Sequence, residues 1–450
     1  MFRTVELPLV LPILSLLFSA VTFASHFLFP SVRWFFRRRM EKVVAKLNER
    51  LERPIQPFKL ARRHDMIQRL IFDPKVAEAV TEHARQEGIP EDVAFAEAKR
   101  YAREIVPAFS ASAYFGPALR FARWLSRALY VVHLDDGNDA ALRAIDGDAT
   151  IIFVMNHRSN MDYVLVTYLV AERSALSYAV GEWARVWPLS RLIRAMGAFF
   201  IRRKSRNTLY RRVLARYVQL ATRGGVTQAI FPEGGLSLDG AVGPPKLGLL
   251  SYILADFEPT EGRDVVFVPV ALNYDRVLED RVLAEALTHA DGTRRFRASA
   301  PAAIRFAIRY AWRRMTGQAV RFGHAGVGFG EPLSLAGFVA GHRGEAIEGV
   351  GEELRLRIMQ AIPVLPVPMV AWLLRRADGP VTRQALVAAA APYLRRLQHP
   401  AMDDAEQVVR DGLAQLLTRR IVSEGPDGVR PLPENAALLD YYARSVAHRL

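Results

Sequence analysis

The sequence predicts an α/β protein with a central sheet flanked by helices, and three observations carry that prediction. Short apolar runs at 149–155, 227–231 and 265–272 each end at a polar or turn-forming residue, as buried strands do. Stretches of helical length, Asp162 to Ala171, Trp187 to Met196, Thr208 to Thr222 and Lys246 to Asp256, alternate with them. Hydrophobic residues make up 51% of the 450 positions and charged residues 24%, which supplies a sizeable core and excludes a chain disordered throughout.

The N-terminal element is apolar. From Leu7 to Phe29 no Asp, Glu, Lys or Arg occurs. A helix of that length can cross roughly 30 Å of hydrocarbon. Arg33, Arg37, Arg38, Arg39 and Lys42 follow it, with Trp34, Phe35 and Phe36 among them. The positive flank puts the downstream side in the cytoplasm. Residues 1–36 are therefore expected to be a transmembrane or interfacial anchor. A cleaved signal peptide competes weakly, because its basic residues should precede the apolar core.

Residues 37–139 read as helical. Arg39 to Arg53 lacks glycine and stops at Pro54; Pro74 opens Lys75 to Glu87; Glu91 to Ile105 follows Pro90. Pro117 is expected to open a helix reaching Val132, in which Phe121 and Trp124 alternate with Arg120, Arg123 and Arg127. Its aromatics suit core packing, or else a face resting on lipid headgroups. The sheet region follows at 140–340. Pro269, inside the third apolar run, argues for an edge strand or a bulge there. Residues 341–450 turn helical again, with tail helices over Thr382 to Leu397, Met402 to Leu417 and Ala436 to Ala447. Ala361 to Leu374 is apolar but too short to span, so it is expected to be buried or interfacial.

Lys and Arg number 61 against 46 Asp and Glu, a surplus that draws nucleic acid, anionic lipid or phosphorylated substrates. The chain has no cysteine, which excludes disulfides, thiol nucleophiles and Cys-ligated metal. No glycine-rich dinucleotide or P-loop pattern follows a strand. No nucleic-acid motif is present, and the histidines have no metal-ligand spacing, so neither a nucleic acid, a metal nor a bound cofactor is expected.

Four clusters can carry chemistry. Asn156 to Asp162 follows the first buried run. If a turn covers Arg158 to Met161, Asp162 folds back beside His157; a carboxylate on one ring nitrogen leaves the other free to take a proton from a hydroxyl. The same pair also suits a structural histidine with a capping Asp. Gly197 to Lys204 belongs to a stretch, Trp183 to Arg216, with ten Lys or Arg and no Asp or Glu. That composition suits an anion, and Arg202 and Arg203 are the candidates to grip it in pairs. Phe231 to Ser237 places Glu233 on a Gly234-Gly235 turn, either to orient a hydroxyl, to brace an arginine or only to end a strand; Lys246 lies shortly after. Val268 to Tyr274 is mainly structural.

In this order the clusters resemble the four motifs of the glycerolipid acyltransferase family: His157 to Asp162, Phe200 to Arg203, Phe231 to Gly234, and the proline-containing run Val268 to Val270. His157-Arg158-Ser159, Glu233-Gly234-Gly235, Pro245-Lys246 and Phe329 to Pro332 resemble the glycerol-3-phosphate acyltransferase branch most. The resemblance implies His157 as general base and Asp162 as its orienting partner. It implies Arg158, Ser159, Arg202, Arg203, Glu233, Gly234, Gly235 and Lys246 around the acceptor. It implies acyl-CoA or acyl carrier protein as donor, glycerol 3-phosphate as acceptor, and a location at the cell inner membrane, single-pass or peripheral, with the catalytic region facing the cytoplasm. One departure stands out. The branch usually carries Arg-Ser-Arg after Glu-Gly-Gly, and this chain has Leu236-Ser237-Leu238-Asp239. Two cations are replaced, which keeps lysophosphatidate or another lysophospholipid open as the acceptor. A lipid-binding membrane scaffold is the non-enzymatic alternative.

Overall fold

A computed structural model of the chain describes residues 15, 16, 19, 38, 41–135, 137–171, 174–181, 189–202, 205, 207–258, 262–288, 321–341, 346–397 and 402–450. The expected anchor lies outside the described residues except for Ser15, Leu16 and Ser19. Arg203 and Lys204 also lie outside them. The chain divides into two units, Met1–Ile55 and Gln56–Leu450. In the first, residues 41–48 are helical.

The second unit begins with helices. In α1, Pro74–Glu87, the Asp73 carboxylate accepts from the Lys75 amide, and Gly88 stops the helix with a φ of 65°. Helix α2, Glu91–Ile105, has the expected bounds and carries acidic residues in its first turn. Pro117 sits inside a short π-helical segment, Tyr114–Ala118, and α3 runs over Leu119–Leu129. The expected helix therefore ends early. Tyr130 is extended, and the β-branched pair Val131-Val132 starts β1, Val131–Asp135.

The remaining strands of the main sheet are β2 Thr150–Met155, β3 Ser177–Val180, β4 Phe199–Phe200, β5 Gln228–Ile230, β6 Val265–Tyr274, β7 His324–Phe329 and β8 Leu333–Ser334. The sheet order is β1-β7-β6-β2-β5-β3-β4, with β8 also on β6. The β2, β3, β4 and β5 pairings are parallel, as are β2 with β6 and β1 with β7, whereas β6 runs antiparallel to β7 and β8. Every residue of β2, β5 and β6 is buried, which is why these strands read as continuous apolar runs.

Pro269 does not mark an edge. It lies in β6, opposite Val154 of β2, on a strand paired along both sides. Antiparallel pairing uses Val270 to Tyr274 with β7 and Val266–Phe267 with β8, and Pro269 occupies the gap between them. Its carbonyl accepts from Gly330 N at 2.9 Å, in the turn joining β7 to β8. The missing N–H thus falls where the ladder is already interrupted.

Helix α4, Met161–Val170, leaves β2, and α5, Thr208–Arg223, precedes β5. At the C-terminal end come α6 Ala346–Ala361, α7 Pro366–Arg375, α8 Ala405–Thr418 and α9 Ala436–Arg444, with a small hairpin, Val422–Gly425 and Gly428–Pro431, between α8 and α9. Pro366 to Leu374 of α7 is buried throughout, against α8 and α9, so this apolar segment is core. Among the described residues no single helix is long and apolar enough to cross a membrane; only α6 and α7 taken together pass that test, and they meet at a 95° bend.

Candidate active site

The first cluster emerges from the end of β2. The Asn156 amide takes over the ladder there: Nδ2 donates to Leu272 O at 3.0 Å, and Oδ1 accepts from Leu272 N at 2.7 Å. This fixes where the chain leaves the sheet. The next residue is His157, and a tight turn leads into α4. Asp162, in the first turn of α4, folds back over that turn. Its Oδ2 accepts from Arg158 N at 2.8 Å and Ser159 N at 3.0 Å, and lies 2.9 Å from His157 Nδ1. Its Oδ1 accepts from the Tyr274 hydroxyl at 2.6 Å.

His157 and Asp162 are 2% and 0% exposed, so their interaction is little weakened by water. An ionised carboxylate only accepts, so Nδ1 carries the proton and Nε2 presents its lone pair. Among the described residues nothing hydrogen-bonds to Nε2. The ring stacks on Phe231 at 4.1 Å between centroids and meets Tyr163 edge-on at 5.6 Å. These contacts fix the imidazole plane.

Glu233 braces the histidine through its backbone. Its Oε1 accepts from His157 N at 2.8 Å and its Oε2 from Gly243 N at 3.1 Å. Burial pushes its carboxyl up to about 7, against the pull of those two amides and of Arg158. Ser237 N donates to His157 O at 2.8 Å, so the loop after β5 holds both backbone groups of His157. Gly234 turns that loop with a φ of 66°, and a side chain there would meet Lys246 Cδ at 2.9 Å. The Lys246 side chain thus crosses the Gly234 backbone. Gly235 has open space beside it.

Ser159 Oγ donates to Glu279 Oε2 at 2.8 Å, and Asn160 Nδ2 to Glu279 Oε1 at 2.9 Å. Arg158 is 1% exposed. Its Nη1 donates to Gly240 O, and its guanidinium sits 5.0 Å over the Tyr441 ring. Its Nε and Nη2 have no hydrogen-bond partner among the described residues. Arg202 is committed elsewhere: its fork closes on Glu104 at 2.8 and 2.6 Å, and its guanidinium lies 5.4 Å from the ring of Tyr101 and 5.4 Å from that of Tyr210. A phosphate would have to compete with that carboxylate. The structure therefore joins His157, Arg158, Ser159, Asp162, Glu233, Gly234 and Lys246 around one turn, and engages Arg202 apart from it.

Tyr274 and Glu279 are the supports that sequence reasoning did not single out for a role. Tyr274 ends β6 and Glu279 follows it, and the acidic residues between Asp275 and Asp280 after a buried strand were the available signal for Glu279. Among the described residues no group of three or more His, Asp or Glu is placed to hold a metal ion. Two surface cavities, of about 450 Å³ by Arg223, Asp256 and Arg263 and about 620 Å³ by Lys75, His83 and Arg212, include none of the cluster in their linings.

A family profile described as Acyltransferase matches residues 118–273, and one described as Glycerol-3-phosphate acyltransferase C-terminal region matches 314–450. A glycerol-3-phosphate acyltransferase of Pseudomonas fluorescens (strain SBW25) is 28% identical over 431 residues, 86% of this chain and 48% of the relative. One from Pseudomonas putida (strain W619) is 29% identical over 432 residues, 86% and 49% of the two chains. One from Haemophilus influenzae (strain PittEE) is 25% identical over 422 residues, 87% and 50%. The chain spans about half the length of these relatives. Among solved structures, the 1-acyl-sn-glycerophosphate (LPA) acyltransferase from Thermotoga maritima is 20% identical, covers 58% of this chain and 79% of that one, and has a TM-score of 0.32, an overlap too slight to bear on the fold.

A mixed α/β sheet, a His–Asp pair at the end of one of its strands and the two profile matches together define the class the chain is similar to, the glycerolipid acyltransferases. Its similarity is to the glycerol-3-phosphate acyltransferase branch of that family.

Proposed function

We propose that the chain transfers a fatty acyl group from acyl-CoA or acyl carrier protein to the hydroxyl of glycerol 3-phosphate. The observation that carries the reading is the buried contact of His157 Nδ1 with Asp162 at 2.9 Å, which leaves Nε2 free. Nε2 takes the proton of the acceptor hydroxyl as its oxygen attacks the thioester carbonyl. The C–O bond forms, the tetrahedral oxyanion collapses, and the C–S bond breaks. The departing thiolate takes up the proton held by the imidazolium. Asp162 stabilises that imidazolium while it exists. Glu233 holds the histidine backbone, and Arg203 and Lys246 are the proposed phosphate contacts, with Arg202 contributing if it leaves Glu104. No covalent enzyme intermediate is involved.

Lysophosphatidate is the second reading of the acceptor. Leu236 and Leu238 favour it, since they put apolar side chains where the resemblance leads one to expect cations. The proposed location is the cytoplasmic face of an inner membrane, which gives both fatty substrates a short path. The test is initial rates with glycerol 3-phosphate and with lysophosphatidate, each with both donors. Transfer to glycerol 3-phosphate that vanishes in His157→Ala supports the reading. Transfer to neither acceptor, or full activity in the variant, overturns it.

A further inference from the structure

Helix α3 carries an outer face that the catalytic cluster does not use. Arg120, Phe121, Arg123, Trp124 and Arg127 share it, at spacings of three and four residues. Phe121 and Trp124 are 56% and 47% exposed, with their rings 5.9 Å apart. At 3.6 residues per turn, the three arginines gather on one flank and the two aromatics on the other. The helix contains no Asp or Glu. The opposite side, with Ala122, Ser126 and Leu129, is buried. Expected core aromatics are thus turned outward at the cost of leaving large apolar area in water.

The face is also tied to the catalytic turn. Arg127 Nε donates to the Tyr168 hydroxyl at 3.0 Å, and the Arg123 and Arg127 guanidinium groups lie 5.5 Å from the Tyr168 ring. Tyr168 belongs to α4, whose first turn holds Asp162.

We propose that this face of α3 docks on an anionic phospholipid surface and so holds α4 and the catalytic turn beside the bilayer. The proposal rests on the acyl-transfer reading only for its purpose. Rings of Trp and Phe insert at the headgroup–acyl boundary while arginines meet phosphates, and this segregation of aromatic and cationic flanks fits a planar interface. The Phe121–Trp124 pair is packed together, which suits insertion as a wedge better than stacking of separate bases.

The absence of cysteine makes the test direct. Phe121→Cys and Trp124→Cys in the full chain would each carry a nitroxide, with Glu87→Cys as an exposed reference on α1. On vesicles of phosphatidylglycerol and phosphatidylethanolamine, the labels at 121 and 124 should become more accessible to oxygen than to a water-soluble nickel complex, and the label at 87 should not. Adding Arg120→Gln to the Phe121→Cys chain should weaken insertion about fivefold on these vesicles and leave phosphatidylcholine vesicles unaffected. Water-like labels at 121 and 124 on anionic vesicles overturn the proposal, as does a response to RNA in place of lipid. Activity in detergent with soluble acceptors tests the acyl-transfer reading separately, because label depth is read without turnover.

Discussion

Replacing Asp162 with Asn tests the central pair with little change of shape. In the wild type Oδ2 accepts from three donors, His157 Nδ1, Arg158 N and Ser159 N. An Asn carbonyl oxygen in the same place keeps all three. The amide nitrogen then faces the Tyr274 hydroxyl, which can rotate to accept instead of donate. Folding should therefore lose only about 1–2 kcal/mol, the difference between charged and neutral acceptors. Catalysis should lose more. The imidazolium formed during transfer would have no counter-charge beside it. With charge centres about 4 Å apart and an effective dielectric of about 20, that interaction is about 4 kcal/mol. At about 1.4 kcal/mol per decade, kcat should fall about a thousandfold. The assay is initial rate against both substrates, with thermal unfolding as the control for fold. KM for each should move little, because the carboxylate acts through the histidine. His157→Ala and the double variant complete the cycle: if the two side chains act as one unit, the double variant loses no more than His157→Ala alone. A kcat within tenfold of wild type, or additive losses, would refute the pairing.

Tyr274→Phe removes the donor to a buried carboxylate oxygen and should cost about 1.5–3 kcal/mol in urea unfolding, with a smaller drop in kcat than Asp162→Asn. Glu233→Gln should change how stability depends on pH. Burial raises Glu233 from 4.5 to about 7, so between those values the folded chain holds a proton that the unfolded chain has released. Stability then falls as pH rises through that window, and the wild type should lose about 2 kcal/mol more than the variant between pH 5 and 8, measured by urea midpoints. Asp275, also raised to about 7 by burial, leaves a residual slope in both proteins. Gly240→Ala should destabilise by about 3 kcal/mol or more, because a Cβ would lie 1.9 Å from Tyr441 O and φ is 87°; an unchanged Tm would mean the loop and α9 are not in contact.

The legible parts of the fold are those whose cause is local. β2 and β6 are buried on both faces, so burial writes itself as an uninterrupted apolar run. β4 has two residues and β3 four, too few to show a period. β7 reads His-Ala-Gly-Val-Gly-Phe, which looks like a loop. Its glycines answer a distant demand: a Cβ on Gly328 would lie 2.2 Å from Ala361 O, and one on Gly326 would lie 2.7 Å from Pro363 Cβ. The His157–Asp162 contact was legible because five residues and one turn enclose it. The engagement of Arg202 was not, because Glu104 lies 98 residues earlier in the chain. A cationic run shows an appetite for anions but not which anion the fold already supplies.

The same distinction explains why the C-terminal helices matter to a turn built some 280 residues before them. Tyr441 lies under the Arg158 guanidinium, Tyr442 donates to Asp280 beside Arg419, and Arg444 reaches Asp239 at 3.1 Å. Tyr442 also accepts from Val277 N at 3.1 Å, in the segment that carries Glu279 to Ser159. Both loops that bracket His157 are therefore anchored on α9. A buried Arg–Asp pair gives little net stability, but leaving either charge alone is costly, so its effect is to forbid other arrangements of the two loops. Residues 314–450 match a profile of their own, yet Arg419, Tyr441, Tyr442 and Arg444 within them brace Arg158 and the loops beside the His157 turn. Loss of α9 would expose Arg158 and release the loop after β5 with it, so the His–Asp geometry depends on the far end of the chain as much as on its own turn.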